Sequence, residues 1–379
     1  MQTEQLSWHG PSGWKSASDA VVRDANLVLV FGDGTALGTT EALPQLRGRF
    51  PKALFFGCST AGEILGTSVS DEQIVATAVH FDRTTLHSAQ VRIATGEDSF
   101  ETGRRLAQSI PQAGLRHAFV LSDGLNVNGS ELVRGLTSAV PSDVTVTGGL
   151  SGDGARFGTT YVLWEDRPQT GLVAILGFYG SGLTVGYGSL GGWDPFGPER
   201  LITRSVRNIL YELDGKSALT LYKEYLGEHA AGLPATGLLF PLSIRKDERD
   251  TPVVRTILAV NEADHSMTFA GDVPEGAYAR LMKANFDRLM DGAMNAARAS
   301  QSAIRGNEPE LAILISCVGR KLILKQRVEE EVEGVRAVLG PRPVLTGFYS
   351  YGEISPFTPS ARCELHNQTM TITTLAEAA

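Results

Sequence analysis

The chain has 379 residues, 42% hydrophobic and 20% charged, which suits two domains of ordinary size with real cores. A formal net charge of -8 disfavours nucleic acid and anionic membrane surfaces, both of which call for a basic face. No apolar stretch is long enough to span a bilayer, and the first twenty residues lack a basic segment followed by an apolar run, so the expectation is a cytoplasmic protein without membrane insertion.

In chain order the dominant feature is an internal repeat. A short apolar strand, Leu27 to Phe31, runs into Gly32-Asp33-Gly34, and a helical stretch follows from Glu41 to Arg47. A second strand, Ala53 to Phe56, runs into Gly57-Cys58-Ser59-Thr60-Ala61-Gly62-Glu63-Ile64, and two β-rich segments follow, 73–81 and 85–93. The order returns with the strand Ala118 to Leu121, the turn Ser122-Asp123-Gly124 and a helix carrying Leu132, Val133 and Leu136. The strand Val144 to Thr147 then ends in Gly149-Leu150-Ser151-Gly152-Asp153-Gly154, with β-rich segments at 160–164 and 171–179.

A third copy begins with the strand Leu311 to Ile315 and a helix with Val328, Val332, Val335 and Leu339 at helical spacing. The strand Val344 to Thr346 leads into Gly347-Phe348-Tyr349-Ser350-Tyr351-Gly352-Glu353-Ile354, and 365–373 closes the copy as a strand. G-x-x-x-x-G-E-I thus occurs twice and a looser G-x-x-x-x-G once, while Gly237-Leu238-Leu239-Phe240 reads as the start of a fainter fourth copy. Repeated strand–helix–strand units predict an α/β protein with mixed sheets, built by duplication as two tandem domains. The glycines fit chains that leave a buried strand and reverse sharply.

A boundary falls in the glycine- and proline-rich run 191–198, dividing the chain into an N-terminal extension (1–23), a first domain (24–198) and a second (199–379). The second half opens with a β-rich stretch from Leu201 to Leu213 and a helix from Ala218 to Leu226. The charged run 246–250 reads as a hairpin tip, and a long helix is expected from Ala277 through Ala293.

Several stretches resemble the FIST family of sensory domains. SDGLNVNGSELVRGL (Ser122 to Leu136) and GGLSGDGARF (Gly148 to Phe157) are similar to the FIST N domain. LAILISCVGRKLIL (Leu311 to Leu324), GFYSYGEISP (Gly347 to Pro356) and ELHNQTMTITTL (Glu364 to Leu375) are similar to the FIST C domain, and ELDGKSALTLYKEYLG (Glu212 to Gly227) to the join. The resemblance implies ligand sensing in bacterial signal transduction. With no kinase or cyclase segment left over, the signal would leave by contact with a separate histidine kinase or diguanylate cyclase, a cyclic-di-GMP enzyme. One branch implied is the nitric-oxide-sensing haem b protein; others sense amino acids or small metabolites. A homo-oligomer is compatible with either.

Haem b needs an apolar slot and an axial ligand. His366 is the first candidate and His80 the reserve, both on apolar strands, with a core histidine bonded to a carbonyl as the competing role. Tyr349, Tyr351 and Glu353 lie in a glycine turn at a strand end, where α/β sheets bind ligands, or they pack and cap there. Arg320 could meet a ligand carboxylate or form an ordinary ion pair, and Asn367 belongs to the polar run after His366. Asp33, Asp123 and Asn128 read as helix caps. The three cysteines, Cys58, Cys317 and Cys363, form no disulfide framework. An enzyme using Cys58 or Ser59 is the outside reading. The repeat positions matched to Cys58, Leu150 and Phe348, argue for packing, so no catalytic role is expected.

Overall fold

The computed structural model describes residues 1–18, 20–39, 41–93, 98–164, 166–304, 306–357 and 361–378. The three repeats each form a parallel strand pair with a third strand antiparallel beside it. The pairs are Leu27–Gly32 with Leu54–Ser59, Leu115–Ser122 with Thr145–Leu150, and Leu311–Cys317 with Val344–Ser350. The third strands are Ile74–His80, Leu172–Tyr179 and Met370–Glu377. Runs such as Leu27-Val28-Leu29-Val30-Phe31 are apolar at every position because both faces are covered. Inward residues Leu29, Phe31, Phe119, Leu121, Ile313, Ile315 and Phe348 share one central core. The outward faces are packed by helices: Ala42–Arg49 on the first sheet, Ser99–Gln108 and Gly129–Ala139 on the second, and Phe286–Ala303 and Val328–Leu339 on the third. Each fully buried Leu or Phe stabilises this arrangement by about 1.5–3 kcal/mol.

The sheets are tied together by cyclic exchange of strands. Each glycine turn sends its next strand into a different repeat's sheet. Glu63–Leu65 pairs with Val344–Ser350, Gly352–Pro356 with Thr145–Leu150, and Val162–Trp164 with Leu54–Ser59. On the opposite edges, Thr85–Arg92 joins the second sheet and Leu183–Leu190 the third. Gln2–Trp8 fills the corresponding place on the first. Residues 1–8 are therefore part of the first sheet rather than an appendage.

The turns themselves meet in a ring. Gly152 N–H donates to the Ser59 carbonyl (2.9 Å), Ala61 N–H to that of Tyr349 (2.8 Å) and Tyr351 N–H to that of Leu150 (3.2 Å). Gly57, Gly148 and Gly347 are the equivalent glycines. A methyl group at each would stand 1.8–1.9 Å from the carbonyl oxygen of Val30, Val120 or Leu314 on the neighbouring strand. The sequence alignment through Gly149 is thus off by one residue, and the position matching Cys58 and Phe348 is Gly149, not Leu150.

A β-rich unit is inserted between the second and third repeats. It is built on the long strand Asp194–Val206, with Tyr278–Lys283 on one side and Ile209–Leu213 on the other, and covered by the Ser217-capped helix Ala218–Leu226. Residues 246–250 join its strands Leu242–Arg245 and Val253–Arg255, as expected of a hairpin tip. Two expectations fail here. Gly237-Leu238-Leu239 lies in a 3-10 turn, so there is no fourth copy. The helix expected from Ala277 begins only at Phe286, because Tyr278–Lys283 is claimed by pairing with 194–201 and Asn285 caps the helix that follows.

Candidate functional site

Most of the residues singled out in the C-terminal half converge on one buried polar cluster, where the turn after Cys363–His366 meets the inserted unit. Register places His366 opposite Glu353. The connecting residues Asn367, Gln368 and Thr369 are buried, and Gln368 sits at φ 62, a region non-glycine residues enter at a cost. Trp193 Nε1–H donates to the Gln368 carbonyl (2.9 Å), and the Gln368 side chain lies against Gly319, where a methyl would stand 2.5 Å from its amide.

Glu353 accepts from Ser350 Oγ (2.5 Å), Thr369 Oγ1 (2.9 Å) and Thr369 N–H (3.2 Å). Burial nevertheless outweighs these donors and the nearby Arg320 guanidinium, and pushes the carboxyl up to about 8. Arg320 itself is fully buried rather than on the surface. Its Nε and Nη2 donate to Glu331 (3.1 and 2.7 Å), and its remaining bonds go to the Leu289 and Gly191 carbonyls. Tyr349 Oη donates to the other Glu331 oxygen (2.6 Å), as does Ser316 Oγ (3.0 Å). Arg320 and Tyr349 are therefore committed to Glu331, a partner hidden in the acidic run 329–331 that looks solvated in sequence.

Three successive residues are left with unspent capacity. Neither end of the Asn367 amide, nor Gln368 Oε1, nor His366 Nδ1 has a hydrogen-bond partner among the described residues. His366 Nε2–H donates to the Ser355 carbonyl (2.7 Å), and burial pushes the imidazole down to about 4, so it is neutral with a free lone pair on Nδ1. Buried polar groups are rarely left unmatched, and a run of them is a feature of binding sites.

Tyr351 faces elsewhere: its ring stacks on Phe157 (4.6 Å between centroids) and its hydroxyl donates to the Gly154 carbonyl (3.2 Å). His80 is half-buried at a strand end, with Nδ1 against the Asp24 carbonyl and Asp82 at 3.6 Å. For His366 the free Nδ1 suits iron, since a carbonyl holds the other nitrogen. Its surroundings do not fit haem: the ring is sealed from solvent, Phe357 packs edge-on at 4.2 Å, and Glu353, Asn367 and Thr369 are polar neighbours.

Two of the three expected helix caps form: Asp33 accepts from Thr35 and Ala36 N–H, and Asn128 from Glu131 N–H. Asp123 instead holds the turn after its strand, accepting from Leu125 and Asn126 N–H ahead of the helix Gly129–Ala139, which Asn128 caps. Cys58 is sealed in the central core, where burial pushes its thiol up, and Ser59 Oγ is spent on the Gly152 carbonyl and Tyr161 N–H. Glu63, the repeat counterpart of Glu353, was not picked out, although its G-x-x-x-x-G-E-I motif signals it.

The fold and site define a mixed α/β protein built by duplication, with a buried polar cluster where its repeats meet an inserted unit. Residues 26–216 match the FIST N domain and 218–356 the FIST C domain. The chain belongs to the FIST family, whose domains are sensory domains of signal transduction. No curated protein sequence matches it. Among solved structures it is similar to a cyanuric acid hydrolase from A. caulinodans at 9% identity and TM-score 0.37, covering 100% of this chain and 99% of that one. A second cyanuric acid hydrolase structure gives 10% identity and TM-score 0.36, covering 99% and 98%. Likeness at this level carries no inference about activity. Among the described residues, no helix is long and apolar enough to cross a membrane.

Proposed function

We propose that the chain senses a small polar metabolite, with free amino acids as the favoured class. The ligand is held at Asn367 with Gln368 and His366 beside it, and the signal passes by protein contact to a histidine kinase or a cyclic-di-GMP enzyme. The observation that carries this reading is the Asn367 side chain, fully buried with both its donor and its acceptor unmatched. A ligand bearing an ammonium and a carboxylate complements that amide and the free Gln368 oxygen. Trp193 and Leu238 of the inserted segment bond the same turn, so occupancy there bears on both units. A thermal-shift screen of the purified chain against the common amino acids and related small acids tests it, the expected result being a raised melting temperature for one chemical group of compounds. The haem and nitric-oxide reading is separated by a visible spectrum after haem-supplemented expression. A Soret band lost in His366→Ala would replace the metabolite reading.

A further inference from the structure

The three corners where hairpins cross between sheets are not equal. Glu63–Leu65 makes three residue pairs with its host strand, and Gly352–Pro356 makes three with its own. Val162–Trp164 makes one, Val162 with Cys58, and then diverges from Leu54–Ser59. The inner hydroxyl links differ too. Thr77 bonds Thr346 (2.9 Å) and Thr373 bonds Thr147 (2.8 Å), whereas at the third corner the matching residues are Leu176 and Phe56, which offer no hydroxyl.

Where the third corner opens there is a cavity of about 230 Å³ between Leu54–Ser59 and the edge strand Thr85–Arg92. Phe55, Phe56 and Trp164 supply aromatic lining, with Leu163 and Ala174 between them. Ser88 and Gln90 face it from the edge strand. Arg47 and Asp166 stand at its rim, bonded to each other, and the guanidinium also lies 3.9 Å over the Phe55 ring. That pair neutralises its own charge, so the site offers neither a free cation nor a free anion to a ligand. An apolar cavity of about 150 Å³ is known to hold benzene. This cleft is larger and partly open to solvent; with three aromatic side chains and an amide it suits a ring carrying a small uncharged polar group.

We propose that this corner is a second ligand site, separate from Asn367, which takes an uncharged aromatic small molecule with its polar substituent on Gln90. The probes are benzamide and toluene, titrated against the full chain by saturation-transfer NMR and tryptophan emission. Benzamide is expected to bind saturably and to change an emission component that is missing in Trp164→Phe. Ser88→Phe, whose side chain shares the Gln90 face of the edge strand and fills the cavity, is expected to weaken both probes by about tenfold or more, equivalent to about 1.4 kcal/mol. Gln90→Leu, which keeps the volume, is expected to weaken benzamide and spare toluene, and it serves if Ser88→Phe fails to fold. Asn367→Leu is expected to leave benzamide binding unchanged, which keeps this site's test apart from the sensory one. Absence of saturable binding by either probe at millimolar concentration, or binding undiminished in both cavity variants, overturns the proposal.

Discussion

Glu63 and Glu353 occupy the same place in two of the three repeats, and both are buried carboxyls bonded to the hydroxyl three residues before them. Thr60 Oγ1 donates to Glu63 and Ser350 Oγ to Glu353, each at 2.5 Å, and each carboxylate also reaches the N–H that opens a following segment, Gln73 or Thr369. Burial pushes both up to about 8. In the second repeat the corresponding residue is Gly154, and Asp153 accepts from the N–H groups of Gly158 and Thr159 instead.

This pair makes stability depend on pH. Both carboxyls hold a proton more tightly when folded than when unfolded, so their contribution is fully present below about 4.5. It is lost as pH rises towards about 8, by at most about 1.4 kcal/mol per pH unit for each group. Urea unfolding at several pH values is expected to show stability falling across that window, and the slope should flatten in Glu63→Gln and Glu353→Gln. An unchanged slope in both variants would mean the carboxyls are ionised throughout.

Arg320 and Glu331 are each fully buried and satisfy one another. Removing one partner strands the other, so Arg320→Leu is expected to cost about 3–5 kcal/mol. Arg320→Leu combined with Glu331→Leu should recover part of that loss, measured as midpoints of chemical denaturation. Equal losses in single and double variants would contradict the pairing.

The ring of turns depends on close backbone approach. Gly148→Ala places a methyl 1.9 Å from the Val120 carbonyl and is expected to abolish folding or cost more than about 4 kcal/mol. Gly114→Ala, at φ 77 with open space around it, should cost only about 1–2 kcal/mol. Melting temperatures of the two variants separate steric from conformational effects.

Replacing His366 with Ala leaves the Ser355 carbonyl unmatched in a buried place, and the expected loss is about 1–3 kcal/mol in denaturant unfolding. Unchanged stability would mean the ring is not seated as described.

What could be read from sequence was what local chemistry controls. Continuous apolar runs marked the doubly covered strands, and Gly57 and Gly347 marked the tight turns, so the threefold repetition was visible. The exchange of hairpins between repeats was not, because the pairing of Glu63–Leu65 with Val344–Ser350 joins residues nearly three hundred positions apart with no local signature. The two adjacent glycines 148 and 149 left the second repeat's register open by one residue, and only the Val120 carbonyl decides it. Tyr278–Lys283 carries apolar residues at helical spacing, yet pairing with 194–201 makes it a strand. Of the site residues, Glu353 was legible from its glycine turn at a strand end, His366 from its place on an apolar strand, and Asn367 from the polar run that follows it. Glu331 was passed over because a run of three glutamates ordinarily faces water, whereas helix rotation turns this one inward to Arg320.

The central claim is that Asn367 is a ligand-binding group, and calorimetric titration of the wild-type chain and Asn367→Leu with the compound that most raises the melting temperature tests it directly. The prediction is saturable one-site binding to the wild type, weakened by about tenfold or more in Asn367→Leu, because a hydrogen-bonding partner buried with the ligand contributes about 1–3 kcal/mol. Asn367→Leu that stays folded and binds the compound with wild-type affinity would contradict it.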